Sequence, residues 1–245
     1  MSTAALEGDE RLPLYQRLAD SLRKEIVDGV RSPGDQLPSE NVLAEEYGLA
    51  PGTARQALAR LVGEGILERF HGKGTFVRRP SFDQSLSRFF RFRAADGELV
   101  IPESRILKRT IETADDSVAS HLRLKDDRTC IVMQRLRVID GTPVVAEEIW
   151  LPFERFHKFM EIDDADVGPL LYPVYATECG QVIARASEEL RVEAVEPDAA
   201  HVLGLAPAEP VIVIDRLAFG FDDKPLEWRR SRGRAAQFYY HTEIR

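Results

Sequence analysis

"PGTARQALARLVGEGILERFHGKGTFV", residues 51–77, changes its period halfway along. Ala54, Ala57, Leu58, Leu61 and Val62 recur at the i, i+3, i+4, i+7, i+8 spacing of a helix laid on a core. Pro51 suits the first turn, where its missing N–H costs nothing, and Gly63 and Gly65 close the helix. "ILERF" (66–70) and "TFVRR" (75–79) then read as two short strands, with "HGKG" as the turn between them.

Working back from this stretch, Leu14, Leu18, Leu22, Ile26 and Val30 recur every four residues and predict a helix from Pro13 to about Val30. Gly29 and "SPG" at 32–34 end it. Ser39 is a good N-cap for a short helix through Val42, Leu43, Glu46 and Tyr47 that stops at Gly48. Helix, short helix, turn, helix, hairpin is the order of a winged helix-turn-helix.

Two chemistries compete for the Gly-Lys-Gly turn. A nucleotide-binding P-loop needs GxxxxGK[ST] between a strand and a helix. Here Leu67 stands five residues before Gly72, Gly74 follows Lys73, a helix precedes the loop and a strand follows it, so that reading fails. In a wing, Gly72 and Gly74 let the tip approach a phosphodiester backbone while His71 and Lys73 supply donors and charge. Taken by itself the turn is equally an ordinary surface hairpin. The helix beginning at Pro51 has the matching property: its positive N-terminus presents Gly52, Thr53, Arg55 and Gln56 outward. Arginine pairs with guanine in a major groove and glutamine with adenine.

The net charge of −8 argues against nucleic acid only until its distribution is read. Residues 10–80 carry 11 basic and 10 acidic side chains, whereas residues 81–245 carry 22 and 29. A near-neutral domain binds DNA if its bases share a face. No apolar run reaches the roughly 18 residues of a membrane span. Acids in "MSTAALEGDER" argue against an export signal, and Cys130 and Cys179 make no disulfide framework, so a cytoplasmic protein with reduced thiols is expected.

Beyond a basic stretch placed as a linker at 79–90, the pattern turns to strands. Runs rich in Val, Ile and Leu lie at 104–112, 129–152, 184–195 and 210–234, with turn signals "DGTP" and "DDKP". The hairpins around these two turns share a layout, suggesting duplicated hairpins in one antiparallel sheet. Short helices are expected at 115–124 and 196–205, with another segment around 153–160. The domains are therefore 10–78, a linker at 79–90 and 91–245, and the second domain is α+β.

Enzymatic constellations are weak. The five histidines (71, 121, 157, 201, 241) lack HxxxH or HExxH spacing, and no GxSxG elbow occurs. No catalytic residue, metal or cofactor is expected. "EWRRSRGR" (227–234) reads either as an anion-binding cluster or as an exposed strand end.

Residues 13–78, with P-G-x-x-L-P-S-E, L-A-x-x-Y-G, T-x-R-Q-A-L-x-x-L and G-x-G-T-F-V, resemble the N-terminal domain of GntR-type bacterial transcription regulators. From about residue 90 to 240, "RLRVIDGTPVVAEEIWLP" and "DDKPLEW" resemble the UTRA sensing domain of the HutC subfamily, which shares its fold with chorismate lyase. The resemblance implies a homodimer that binds double-stranded operator DNA, usually as a repressor, and releases it when a small metabolite occupies the second domain. Carried onto this sequence, it assigns Ser39 and Glu40, at the start of the second helix, to DNA binding. Thr53, Arg55 and Gln56 fall on the recognition helix, and His71, Gly72, Lys73 and Gly74 on the wing tip. Arg135 and Arg137 fall on paired arginines that face an anionic effector, and Glu147 and Glu227 on acids facing the same cavity. An Arg-x-Arg strand sets both guanidiniums on one face, which suits a carboxylate or phosphate; a carboxylate, a phosphosugar or an amino-acid derivative would each serve. A salt-bridged surface ladder is the other reading of that pattern. Three departures stand out: Asn41 where relatives often have arginine, Ala50-Pro51 where Ser-Arg is common, and Gly233 where many carry tyrosine. The alternative function is a chorismate-lyase-like enzyme with an added N-terminal module.

Overall fold

In a computed structural model, residues 6, 9–79 and 102–237 are described. The chain divides into two compact units, one from the first eighty residues and the other from nearly all the rest. Of the expected linker at 79–90, only Arg79 lies within the described residues.

The first unit has helices α1 (Leu14–Val27), α2 (Glu40–Tyr47) and α3 (Pro51–Gly63), then strands β1 (Leu67–Phe70) and β2 (Gly74–Val77). Helix α1 buries Leu18, Ala19, Leu22 and Ile26. It stops before the expected Val30, because Gly29 turns left-handed (φ +75°) and the Val30 N–H folds back onto the Glu25 carbonyl. Leu14 and Val30 are exposed, so the four-residue pattern overran the packed stretch at both ends. The Ser39 hydroxyl caps α2 by accepting from the Val42 N–H at 3.4 Å, and Gly48 closes that helix at φ +64°. Ala54, Ala57, Leu58 and Leu61 of α3 are buried as their spacing requires.

Residues 34–37 do more than end a helix. The Gly34 and Leu37 N–H groups donate to the Val77 and Thr75 carbonyls, and Val77 N–H donates to Asp35, so this loop runs beside β2 and stiffens the hairpin.

The second unit is built on a six-stranded antiparallel sheet. In chain order its elements are β3 (Glu103–Thr113), α4 (Asp116–His121), β4 (Thr129–Ile139), β5 (Thr142–Pro152), α5 (Phe153–Phe156), α6 (Leu171–Cys179), β6 (Arg185–Ala194), α7 (Pro197–Leu203), β7 (Pro210–Phe219) and β8 (Pro225–Arg234). Spatially the strands run β3-β4-β5-β8-β7-β6. Two similar halves, β3-α4-β4-β5 and β6-α7-β7-β8, thus meet along β5 and β8, which is the duplication the hairpins suggested. Asp140 (φ +48°) and Gly141 (φ +75°) form a two-residue turn between the paired Ile139 and Thr142, the geometry that follows strand twist.

One face of the sheet carries α4 over Cys130 and Trp228, and α7 over Val211 and Val213. The other face is covered by the segment between β5 and β6. Phe156, Phe159, Val167, Leu171, Tyr175 and Ile183 pack there on Ile131, Met133, Ile149, Leu151 and Ala218. Helix α6 was not expected, because "LLYPVY" is rich in residues that favour strands. Pro173 is tolerated as its third residue, since the first N–H groups of a helix have no partner inside it.

Candidate nucleic-acid interface and buried arginine cluster

In the first unit, Gly52, Arg55 and Gln56 are exposed and Thr53 is half-buried, on the side of α3 opposite its packed alanines and leucines. His71, Gly72, Lys73 and Gly74 are exposed at the hairpin tip. Ser39 spends its hydroxyl on the α2 cap. Gly74 adopts φ +118°, and a Cβ there would stand 2.7 Å from Gln36 Nε2. That nitrogen donates to the Lys73 carbonyl at 2.8 Å, so Gln36 holds the tip from the side; it was not among the candidates.

Glu40 faces arginines of two neighbouring elements. Its Oε2 accepts from Arg55 Nε at 2.7 Å, and its Oε1 from Arg69 Nη2 of β1 at 3.1 Å. One carboxylate therefore links the start of α2, the exposed face of α3 and the hairpin. Sequence reasoning missed Arg69, whose exposure is evident only once the strand phase is known.

In the second unit, register brings the remaining candidates together. Arg135 on β4 stands opposite Glu147 on β5, and Glu147 stands opposite Ser231 on β8. Two residues along, Arg229 on β8 stands opposite Arg216 on β7. Arg135, Arg137, Glu147, Arg216, Glu227, Arg229 and Ser231 are all buried, so the surface-ladder reading of Arg-x-Arg does not hold.

Most of these charges are matched. Arg135 Nε donates to Glu147 Oε2. Arg229 spans both acids, with Nη2 on Glu227 Oε2 at 2.6 Å and Nη1 on Glu147 Oε1 at 3.4 Å. The α6 tyrosines donate to Glu227, Tyr172 to Oε1 at 3.1 Å and Tyr175 to Oε2 at 2.9 Å. Arg216 Nε donates to Glu188 on β6 at 2.6 Å.

Arg137 is the exception. Its Nη1 donates to the Pro169 carbonyl at 2.7 Å, while Nε and Nη2 are buried without a hydrogen-bond partner. Among the described residues no carboxylate lies within ion-pair distance of it. Nε and Nη2 share one edge of the guanidinium, the edge that makes two parallel bonds to a carboxylate or phosphate. Arg229 Nε is likewise buried and unmatched.

Burial pulls the Arg137 guanidinium down to about 10, against the attraction of Glu147, so it stays cationic at neutral pH. For Glu147, burial alone would raise the carboxyl, but Arg135, Arg229 and Arg137 together hold it below the usual carboxylate range. Burial and the charge on Glu227 push the Tyr175 hydroxyl well up, so it remains a donor. A buried cation costs several kcal/mol unless matched, and buried donors without a partner are few in folded proteins. The arrangement suits a planar or tetrahedral oxyanion seated on Arg137.

Arg216, Arg229, Ser231, Tyr172 and Tyr175 were not among the candidates. Arg229 and Ser231 were within reach, because strand alternation from Glu227 puts 227, 229 and 231 on one face. The "RRSRGR" cluster accordingly splits: Arg229 turns inward, whereas Arg230 pairs with Asp215 on the opposite face at 2.8 Å. Gly233 pairs with Val145, itself opposite Arg137, and adds no side chain at its own place in that row. Among the described residues no three metal-ligating side chains cluster, and no helix is long and apolar enough to cross a membrane.

Comparison with known proteins gives two family matches. Residues 14–77 match the model of bacterial regulatory proteins of the gntR family, and residues 90–239 match the UTRA domain. The chain is 28% identical to the HTH-type transcriptional repressor NagR of Bacillus subtilis, covering 95% of this chain and 96% of that one. It is 30% identical to the HTH-type transcriptional regulator SmoD of Agrobacterium fabrum, covering 88% and 89%. Among solved structures, the ligand-binding domain of a protein assigned to the GntR family from Bordetella bronchiseptica superposes with a TM-score of 0.58 at 29% identity. That match covers 64% of this chain and 98% of that one.

Proposed function

The chain belongs to the gntR family of bacterial regulatory proteins and carries a UTRA domain as its second unit, and from that premise we propose a transcriptional repressor released from its operator by a small anion. The first unit docks on double-stranded DNA, with α3 in the major groove and the wing on the backbone. Arg55 and Gln56 read base edges; Lys73, His71 and the α3 N-terminus take phosphates. The chain works as a cytoplasmic homodimer, each protomer covering one half-site.

The observation that carries the effector reading is the free edge of Arg137. An anion seated there gains two charge-assisted bonds and relieves a buried, uncompensated charge, so it favours whichever arrangement of the domain holds that edge closed. Arg135, Glu147, Glu227 and Arg229 shape the rest of the site. The chain is a binding protein in this reading, with no catalytic role for its carboxylates.

Thermal unfolding of the full chain in the presence of carboxylates, sugar phosphates and amino acids tests the proposal. An effector raises the melting temperature by mass action, and Arg137→Met removes the rise. A ligand that stabilises both forms equally would refute the role given to Arg137.

A further inference from the structure

The ion triad in the first unit assigns a task to Glu40 that the operator-binding reading leaves open. We propose that Glu40 is a positioning residue for operator reading: it sets the Arg55 guanidinium at the head of α3 and ties it to Arg69 of the wing, without itself taking a base or phosphate.

Three observations lead there. Both Glu40 oxygens are occupied by arginines, Oε2 by Arg55 and Oε1 by Arg69. A carboxylate facing phosphates would be repelled, whereas one masked by two guanidiniums presents net positive charge. The Arg55 side chain remains 67% exposed despite the bond, which uses only Nε. Among the described residues neither Nη nitrogen makes a hydrogen bond, and an end-on pair of Nη donors serves guanine O6 and N7 in the major groove.

Stability does not explain the triad. Ion pairs as exposed as these contribute little to folding. What the bond does remove is rotamer freedom, since an unrestrained arginine samples many orientations that must be given up on contact. Fixing Nε in the free protein means that less freedom is lost when a base is met. Because Arg69 shares the same carboxylate, wing and recognition helix are held to one reference point.

This inference rests on the operator-binding reading, and one experiment separates the two. The full wild-type chain is used to enrich duplexes from a random-sequence pool, and affinities for the enriched duplex and for a random duplex are measured by fluorescence anisotropy. The variants are Glu40→Gln, Glu40→Asp, Arg55→Ala and Glu40→Gln/Arg55→Ala. Glu40→Gln removes a negative charge, so random-duplex binding holds or tightens, while binding to the enriched duplex falls about tenfold, the scale of one oriented base contact. Glu40→Asp keeps the charge but shortens the reach, giving the enriched-duplex loss with random binding unchanged. In the Arg55→Ala background, Glu40→Gln causes no further loss on the enriched duplex.

Equal losses on both duplexes would mean that Glu40 only supports the fold, and would overturn the proposal. So would an enriched-duplex loss that persists without Arg55, because Glu40 would then contact DNA itself. If the wild-type chain enriches no sequence, the operator-binding reading fails first and the positioning role falls with it.

Discussion

Arg135 and Arg137 stand two residues apart on the same face of β4, and only Arg135 meets a carboxylate, Glu147 of β5. That asymmetry separates a structural charge from a receptive one. Arg135→Met would leave Glu147 short of a partner in a dry site and is expected to destabilise the second unit by about 3 kcal/mol. Arg137→Met removes an uncompensated cation, at the loss of one bond to Pro169, and is expected to leave the ligand-free chain as stable or more so. Urea unfolding of both variants checks the contrast; equal destabilisation would remove the special status of Arg137.

Tyr175 donates to Glu227 while its ring meets Phe156 and Phe159 edge-on, at centroid distances of 5.0 and 5.5 Å. Tyr175→Phe keeps the packing and deletes one bond to a buried carboxylate, so a loss of about 1.5–3 kcal/mol is expected. Calorimetry should find the loss in the second unit's transition alone.

At the wing, two glycines with positive φ differ in their surroundings. Around Gly72 a Cβ would meet open space, whereas at Gly74 it would collide with Gln36. Gly72→Ala carries only the left-handed penalty of about 1–2 kcal/mol. Gly74→Ala adds displacement of Gln36 and with it the bond to Lys73. Gly74→Ala is therefore expected to cost more DNA affinity than Gly72→Ala, and Gln36→Ala to reproduce part of that excess. Anisotropy on a single duplex ranks the three.

The Tyr47 hydroxyl gives the first unit a pH limit. Burial, helped by its bond to Glu25 at 2.7 Å, pushes it from 10.0 to about 12. A folded value above the unfolded one means that this stabilisation is complete below pH 10 and disappears between pH 10 and 12. Tyr47→Phe should flatten that part of the melting-temperature profile, while Arg31 keeps Glu25 paired. Burial likewise raises Cys130 from 9.0 to about 12, so the second unit should begin to weaken at lower alkalinity, near pH 9.

Local signals made the first unit readable almost residue by residue. Ser39, Gly48 and Pro51 mark their helix ends by backbone chemistry alone, and Ala54, Ala57, Leu58 and Leu61 announce their face by period. In the second unit the strands and the Asp140-Gly141 turn were equally legible. The cover was not: α6 carries strand-favouring residues, and only its packing on Ile131, Met133 and Ile149 makes it a helix. The site divides in the same way. Arg135, Arg137, Glu147 and Glu227 could be placed by motif, but Arg216 and Glu188 come together only because β7 lies between β8 and β6. Such pairings across strands depend on sheet order, which no local window contains.

Operator binding is proposed to run through α3 and the wing. Anisotropy of the full chain on the duplex upstream of its own gene and on a scrambled duplex, repeated from low to high salt, tests it most directly. Tighter binding to the upstream duplex, a steep fall with rising salt, and a slope for Lys73→Ala shallower by about one are expected. Equal binding to both duplexes, or a salt slope that Lys73→Ala leaves untouched, would contradict it.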